Sequence, residues 1–192
     1  MTYHSIEYRP GRMAPEDLAR VQEQPFAAID PGSAGAVVVR GSGSPIGHVR
    51  LFPLFPQPLL ALNAPALDGV GLFVVEAQYL ATNAMTSLRL ARSAAATVAF
   101  AAGVRGARGE PTVVLWVAPS TWQAALRRRL GPLAGSQPER EKGKALALRH
   151  AQETGLTERS AFLSARSTVR EGLADAWGIS EWVARELWRI PG

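Results

Sequence analysis

The sequence predicts a mixed α/β domain, in which a three-stranded antiparallel meander is joined by two parallel strands and flanked by helices. Three observations predict it. Two apolar runs, Phe26–Ile29 and Ala36–Val39, are separated only by Asp30-Pro-Gly-Ser-Ala-Gly35, a turn in which Pro31 pre-sets φ and glycine can take φ > 0. A third run, Ile46–Phe52, follows after Gly/Ser-rich residues and completes the meander. Beyond residue 70, strand-like runs alternate with segments of helical period, which demands crossover connections.

Taken in order, residues 1–24 are polar and contain no apolar run fit for a signal peptide. Pro15-Glu-Asp-Leu-Ala-Arg-Val21 has Pro and acids at a first turn and predicts a short helix. This segment is expected to stand outside a main domain spanning residues 25–190. Pro53, Pro56 and Pro58 interrupt the chain, and a short helix is expected over Leu59–Leu67. Leu72–Glu76 is the fourth strand, again a buried run ending at an acid. From Asn83 to Ala102, the positions Ala84, Leu88, Ala91, Ala95, Val98 and Ala102 form an amphipathic stripe, and Gly103–Pro111 is expected as a flexible basic loop. Thr112–Val117 is the fifth strand. Capping-box spacings at Ser120–Gln123, Ser136–Glu139 and Thr168–Glu171 predict helices reaching about Leu130, Glu153 and Leu187.

Composition narrows the function classes. The 192 residues suffice for one sizeable core, and a mean hydropathy of +0.01 fits a water-soluble domain with no run long enough to span a membrane. The net charge of +5 favours an anionic partner such as nucleic acid. Of 21 basic residues 19 are Arg, suited to phosphate but equally a mark of biased codon usage, and only Lys142 and Lys144 are lysines. The absence of cysteine excludes disulfides, thiolate catalysis and cysteine-held zinc, and three scattered histidines argue against a His-rich metal site.

The chemistry is expected at three carboxylates: Asp30 ending the first strand, Glu76 ending the fourth, and Asp175 in the last helix. In a meander followed by a crossover, the first and fourth strands are parallel neighbours, so Asp30 and Glu76 lie side by side and the last helix must cross over them. Glu171, four residues before Asp175, shares its helix face. Clustered carboxylates in a partly buried site call for a hard cation such as Mg²⁺, and paired ions suit in-line displacement at a phosphodiester. The bland alternative for Asp30 is a side chain folded back on its own turn.

Four stretches, Ile29-Asp-Pro-Gly-Ser33, Val75-Glu-Ala-Gln-Tyr79, Thr82-Asn-Ala-Met-Thr-Ser-Leu-Arg-Leu90 and Ala174-Asp-Ala-Trp-Gly-Ile179, resemble in order the successive blocks of the RuvC Holliday-junction resolvases, of the RNase H-like (integrase) superfamily. The resemblance covers about residues 26–188 and implies an RNase H-like mixed five-stranded sheet. It also implies a homodimeric, Mg²⁺-dependent endonuclease (Mn²⁺ substituting) that places symmetric nicks in four-way junction DNA. Asp30, Glu76 and Asp175 match the family's metal-binding acids. Tyr79 falls where the family has an aromatic near the junction centre, where a ring can stack on an unpaired base. Lys142 matches a lysine that approaches the scissile phosphate, and the helix from Asn83 matches the one used for dimerisation. One departure is plain: the family has Asp or His three residues before the last acid, where this chain has Gly172. Glu171 is then either a substitute metal ligand or a capping residue.

DNA contact is also expected of Lys144 and of Arg127, Arg128 and Arg129, for which a solvated helix end is the alternative. No membrane partner and no nucleotide cofactor are expected, and the location is expected to be cytoplasmic or nucleoid-associated. Three rival functions are a different RNase H-like nuclease acting on RNA–DNA hybrids or flaps, a non-catalytic junction-binding module of the same fold, and, last, an actin/hexokinase-like phosphotransferase. The last needs a second lobe that 192 residues do not leave room for.

Overall fold

A computed structural model describes residues 3–22, 24–32, 34–41, 49–53, 67, 69–77, 84–131 and 139–188. The strands are β1 (Tyr3–Glu7), β2 (Phe26–Asp30), β3 (Ala36–Arg40), β4 (Val49–Pro53), β5 (Leu72–Glu76) and β6 (Thr112–Val117). The helices are α1 (Pro15–Val21), α2 (Ala84–Ala107), α3 (Pro119–Leu130), α4 (Glu139–Glu153), α5 (Ser160–Leu163) and α6 (Ser167–Trp182), which runs into a π-helical turn at Val183–Leu187. No described helix is long and apolar enough to cross a membrane.

The sheet order is β1-β6-β5-β2-β3-β4. β2, β3 and β4 form the expected antiparallel meander, and β5 and β6 add in parallel beside β2. The five expected strands are therefore present in the expected mixed arrangement. A sixth is added: residues 1–24, expected to stand apart, supply β1, which pairs in parallel with β6, and α1, which sends Val21 into the core. The segment escaped the sequence reading because β1 is a polar edge strand with one fully inward residue, Ile6.

Alternation along the strands divides the core between the two faces of the sheet. One face carries Phe26, Ala28, Val38, Leu72, Val74, Leu115 and Val117 and is covered by α3, α4 and α6. The other carries Ala27, Ile29, Val37, Phe73, Val75 and Val114 and is covered by α2 through Ala94 and Val98. The expected stripe of α2 is rotated: Ala94, Thr97, Val98 and Ala102 face inward, while Leu88, Ala91 and Ala95 are exposed. Small alanines on both sides of the helix gave the stripe no unique phase. Helix α2 also continues through residues expected to be loop, to Ala107; Arg105 secures the end by donating to the Pro111 carbonyl and pairing with Glu110.

Two expected caps are corrected. Helix α3 starts at Pro119 rather than at a Ser120 cap, because Pro fits the first helical position without needing its N–H. Helix α6 starts at Ser167 with Arg166 before it and no side-chain cap, so Glu171 sits a full turn inside the helix and is not a capping residue. The Leu59–Leu67 helix (apart from Leu67), the start of the third strand and the Ser136 cap lie outside the described residues.

Candidate active site

Parity and register bring the first two acids together. Residues 26, 28 and 30 of β2 and residues 72, 74 and 76 of β5 point to the face covered by α6, and Ile29 pairs with Val75. Asp30 and Glu76 are thus side by side at the carboxyl ends of adjacent parallel strands, both buried. This is the end of an open parallel sheet where functional groups gather.

The turn after β2 shapes the first acid. The Gly32 amide donates to Asp30 Oδ1 at 2.9 Å, so the expected bland role is real for one oxygen. The other oxygen faces α6, since a Cβ on Gly172 would lie 3.2 Å from Oδ2. Gly35 closes the turn; a Cβ there would meet the Asp30 carbonyl oxygen at 2.1 Å, so no larger residue fits without moving backbone.

Glu76 is held by a residue that the sequence reading passed over. Trp122, fully buried at the start of α3, donates its indole N–H to Glu76 Oε1 at 3.0 Å. Its ring occupies space left by Gly178 of α6, whose Cβ would come within 2.9 Å of the indole. The signal lay in a pairing of Trp122 with Gly178 across 56 positions, which no local pattern exposes.

Helix α6 brings the third acid. Asp175 is half-buried, and burial first, then repulsion from Asp30, Glu76 and Glu171, raises its pKa well above the usual carboxylate range, with Lys144 opposing. Burial also pushes Asp30 up to about 6, against the Gly32 hydrogen bond and the charge of Lys144. Asp175 therefore feels the other acids, and Lys144 offsets part of that repulsion. Among the described residues, no group of three or more His, Asp or Glu stands close enough to form a ready-made metal shell.

The donor chemistry nevertheless fits a hard divalent ion: carboxylate oxygens only, partly desolvated, mutually repelling, at one end of the sheet. Asp30, Glu76 and Asp175 are the residues that would hold it. Glu171 has another partner, an ion pair with Lys144 of α4. Gly172 is glycine for a packing reason: a Cβ there would be 2.1 Å from the Ala34 carbonyl oxygen of the β2–β3 turn.

The remaining expected contacts divide. Helix α4 carries Lys142, whose side chain lies outside those described, and Tyr79 also lies outside the described residues. Arg127, Arg128 and Arg129 are exposed near the end of α3, about 10 Å along the helix from Trp122. Arg128 reaches Glu186 at 3.4 Å and Arg129 reaches Glu181 at 3.6 Å, so both face the far end of α6 rather than the acids. Trp177 and Trp182 pack as expected, Trp177 beneath the Arg40 guanidinium and Trp182 edge-on to Tyr8.

The architecture has counterparts among solved structures. The yeast mitochondrial Holliday junction resolvase Ydc2 superposes with a TM-score of 0.53 at 14% identity, over 92% of this chain and 88% of that one. The fold is that of a Holliday junction resolvase. Thermus thermophilus RuvC is similar at a TM-score of 0.45, with 19% identity in its complex with a Holliday junction and 20% in a second structure, over 85% of this chain and 97% of that one. No protein-family model matches the chain, and no curated protein matches it. Within this resolvase fold, the sixth strand β1 and the Trp122–Glu76 bond are features read from the chain itself.

Proposed function

We propose that the protein is a divalent-metal-dependent, structure-selective DNA endonuclease that resolves four-way junctions by paired symmetric nicks. The observation that carries this reading is that Asp30 and Glu76 end adjacent parallel strands and that both raise the proton affinity of Asp175 on the crossing helix, with Lys144 opposing. The resolvase fold supports it.

Each side chain has a separable task. Asp30 is fixed through one oxygen by Gly32 and presents the other toward α6. Glu76 is oriented by the Trp122 indole, which also keeps water from that side of the carboxylate. Asp175 closes the patch from above the sheet. A bound Mg²⁺ would supply Lewis-acid stabilisation of phosphate charge and activation of water. Lys144, half-exposed beside Glu171, would meet a strand phosphate, and Lys142 and Arg127 would add electrostatic contact. Tyr79, three residues beyond Glu76, would stack on an unpaired base at the junction centre. Two chains would pair through α2, where Leu88, Ala91 and Ala95 form an exposed face of small and apolar residues.

The test is nicking of a mobile four-way junction beside linear duplex, with Mg²⁺ and with EDTA. Symmetric nicks in the junction alone, only with Mg²⁺, are expected. Tight junction binding without nicks in Mg²⁺ or Mn²⁺ would favour a non-catalytic junction-binding module, the reading to which Gly172 and the open arrangement of the acids lend some weight.

A further inference from the structure

Where α5 gives way to α6, the chain forms a braced elbow with an apolar side chain at its tip. Leu163, the last residue of α5, is 60% exposed, while Phe162 beside it is buried in the core. We propose that Leu163 is a wedge that enters the base stack of the bound junction, with Arg166 on the adjoining backbone phosphate. This inference rests on the nuclease reading above and adds to it a contact that selects junction over duplex.

The tip is held in place. Arg170 of α6 donates Nε to the Phe162 carbonyl at 3.0 Å and Nη2 to the Leu163 carbonyl at 2.8 Å, and its guanidinium stands 5.7 Å from the centre of the Phe162 ring. The Arg159 carbonyl accepts from the amides of both Phe162 and Leu163, and the Ala165 amide returns to the Phe162 carbonyl. A four-residue helix does not hold itself in water, so these bonds are what fix Leu163 outside the core. A lone exposed leucine is ordinary on a protein surface. A leucine braced there by an arginine from the next helix has a fixed direction, which a wedge needs.

The surroundings suit DNA. From Leu156 to Arg170 the chain carries Arg159, Arg166 and Arg170 against one acid, Glu158. Arg159 lies over the Trp177 ring and Arg170 is engaged by the two carbonyls, whereas Arg166 is exposed three residues beyond the tip and pairs with no acid among the described residues. An apolar tip beside a cation is the arrangement with which proteins unstack base steps. The elbow also lies at the right end of the molecule. Gly172 packs on the β2–β3 turn while Ser180 meets Arg40 at the far end of β3, so α6 begins at the end of the sheet that holds Asp30 and Glu76. Its first residue is about 12 Å along the axis from Asp175, a span of a few nucleotides. Leucine offers no hydrogen bond to a base edge, so the wedge reads ease of opening rather than sequence. Opening costs least where stacking is already interrupted, as at a four-way crossover.

The test uses the whole chain in EDTA and an immobile four-way junction carrying 2-aminopurine, which brightens on unstacking, at successive steps on either side of the crossover. Wild type is expected to brighten at least one step. Leu163→Ser is expected to lose that signal and to bind the junction about tenfold more weakly by anisotropy, with linear-duplex binding unchanged. Leu163→Met should retain both signal and affinity, and the exposure of the side chain predicts wild-type melting for both variants. Arg166→Gln should weaken binding to junction and duplex alike and reduce the salt slope by about one. A junction bound without brightening at any step, or brightening that survives Leu163→Ser, would overturn the inference and leave the nuclease reading intact. A wild-type dimer that Leu163→Ser dissociates would overturn it too, assigning the tip to a second copy of the chain. Failure of wild type to prefer junction over duplex would overturn both.

Discussion

Helix α6 carries charge into the interior at two places, and the molecule treats them differently. Midway along it, Asp175 lies with Asp30 and Glu76; burial raises the proton affinity of both Asp30 and Asp175, and repulsion from the neighbouring carboxylates raises that of Asp175 further. Near its end, Glu181 meets Arg40, which is almost completely buried, with Arg185 at 3.3 Å and Arg129 at 3.6 Å on its other oxygen. Burial alone would raise the Glu181 pKa, but Arg40 by charge and hydrogen bond, helped by His150 and Arg185, holds it below the usual carboxylate value. His150 is buried beside it, and burial pushes it down to about 4, so it is neutral at pH 7. Arg40 also donates to Ser180 and lies over the Trp177 ring. Among the described residues, Glu181 is met by three arginines, Arg40, Arg129 and Arg185, whereas Lys144 is the cation that acts on Asp30 and Asp175. The difference teaches where to look for function, because unbalanced buried charge survives in a fold chiefly when something outside the chain balances it.

The largest effect expected from breaking this contrast is on cleavage. Asp30→Asn, Glu76→Gln and Asp175→Asn should each lower the nicking rate on the order of a thousandfold or more, corresponding to about 4 kcal/mol of transition-state stabilisation. Junction binding, read by gel shift, should persist. A variant nicking at the wild-type rate would remove that residue from the site.

Around Glu181 the same kind of change should cost folding rather than catalysis. Glu181→Gln removes the carboxylate charge that the buried Arg40 pairs with and should destabilise the protein by about 3 kcal/mol in urea unfolding. Nicking per folded molecule should stay near wild type.

Proton linkage separates the two ends further. Asp30 binds its proton more tightly folded than unfolded, so its contribution to stability is fully present below about pH 4 and is lost as pH rises through about 6. Without metal, Asp30→Asn should therefore be more stable than wild type at pH 7.5, by about 3 kcal/mol for a shift from 3.8 to about 6. At pH 4 the two should converge. For the same reason, metal affinity should fall as pH drops below about 6, where protons compete for Asp30.

The smallest expected effect belongs to Trp122. Trp122→Phe keeps most of the ring in the space above Gly178 but removes the donor to Glu76. A charge-assisted hydrogen bond contributes about 1.5–3 kcal/mol, so a tenfold loss in nicking is expected. A shift of the metal-concentration optimum would distinguish misplacement of Glu76 from general loosening of the core.

The elements that repeat a local rule were legible in the sequence. Buried β-runs ending in acids revealed Asp30 and Glu76, and the meander-plus-crossover order made them neighbours before any coordinates. Contacts that join distant elements were not legible. Trp122 reaches Glu76 only because Gly178 makes room, and Glu171, in a helix that begins two residues earlier than its cap pattern suggested, meets Lys144 of a separate helix 27 positions away. Likewise Gly172, which read as a missing ligand, is the residue that lets α6 approach the turn. Strand β1 was hidden because an edge strand needs little apolar sequence to pair.

The central claim is that the acids gathered around Asp175 of α6 are completed by a divalent ion, and thermal melting of wild type and Asp175→Asn at pH 7.5, with and without Mg²⁺, tests it most directly. Wild type should melt lower than the variant in EDTA and gain several degrees on adding Mg²⁺, while the variant should not respond. A wild-type melting point unmoved by Mg²⁺ or Mn²⁺, or an equal gain in Asp175→Asn, would contradict it.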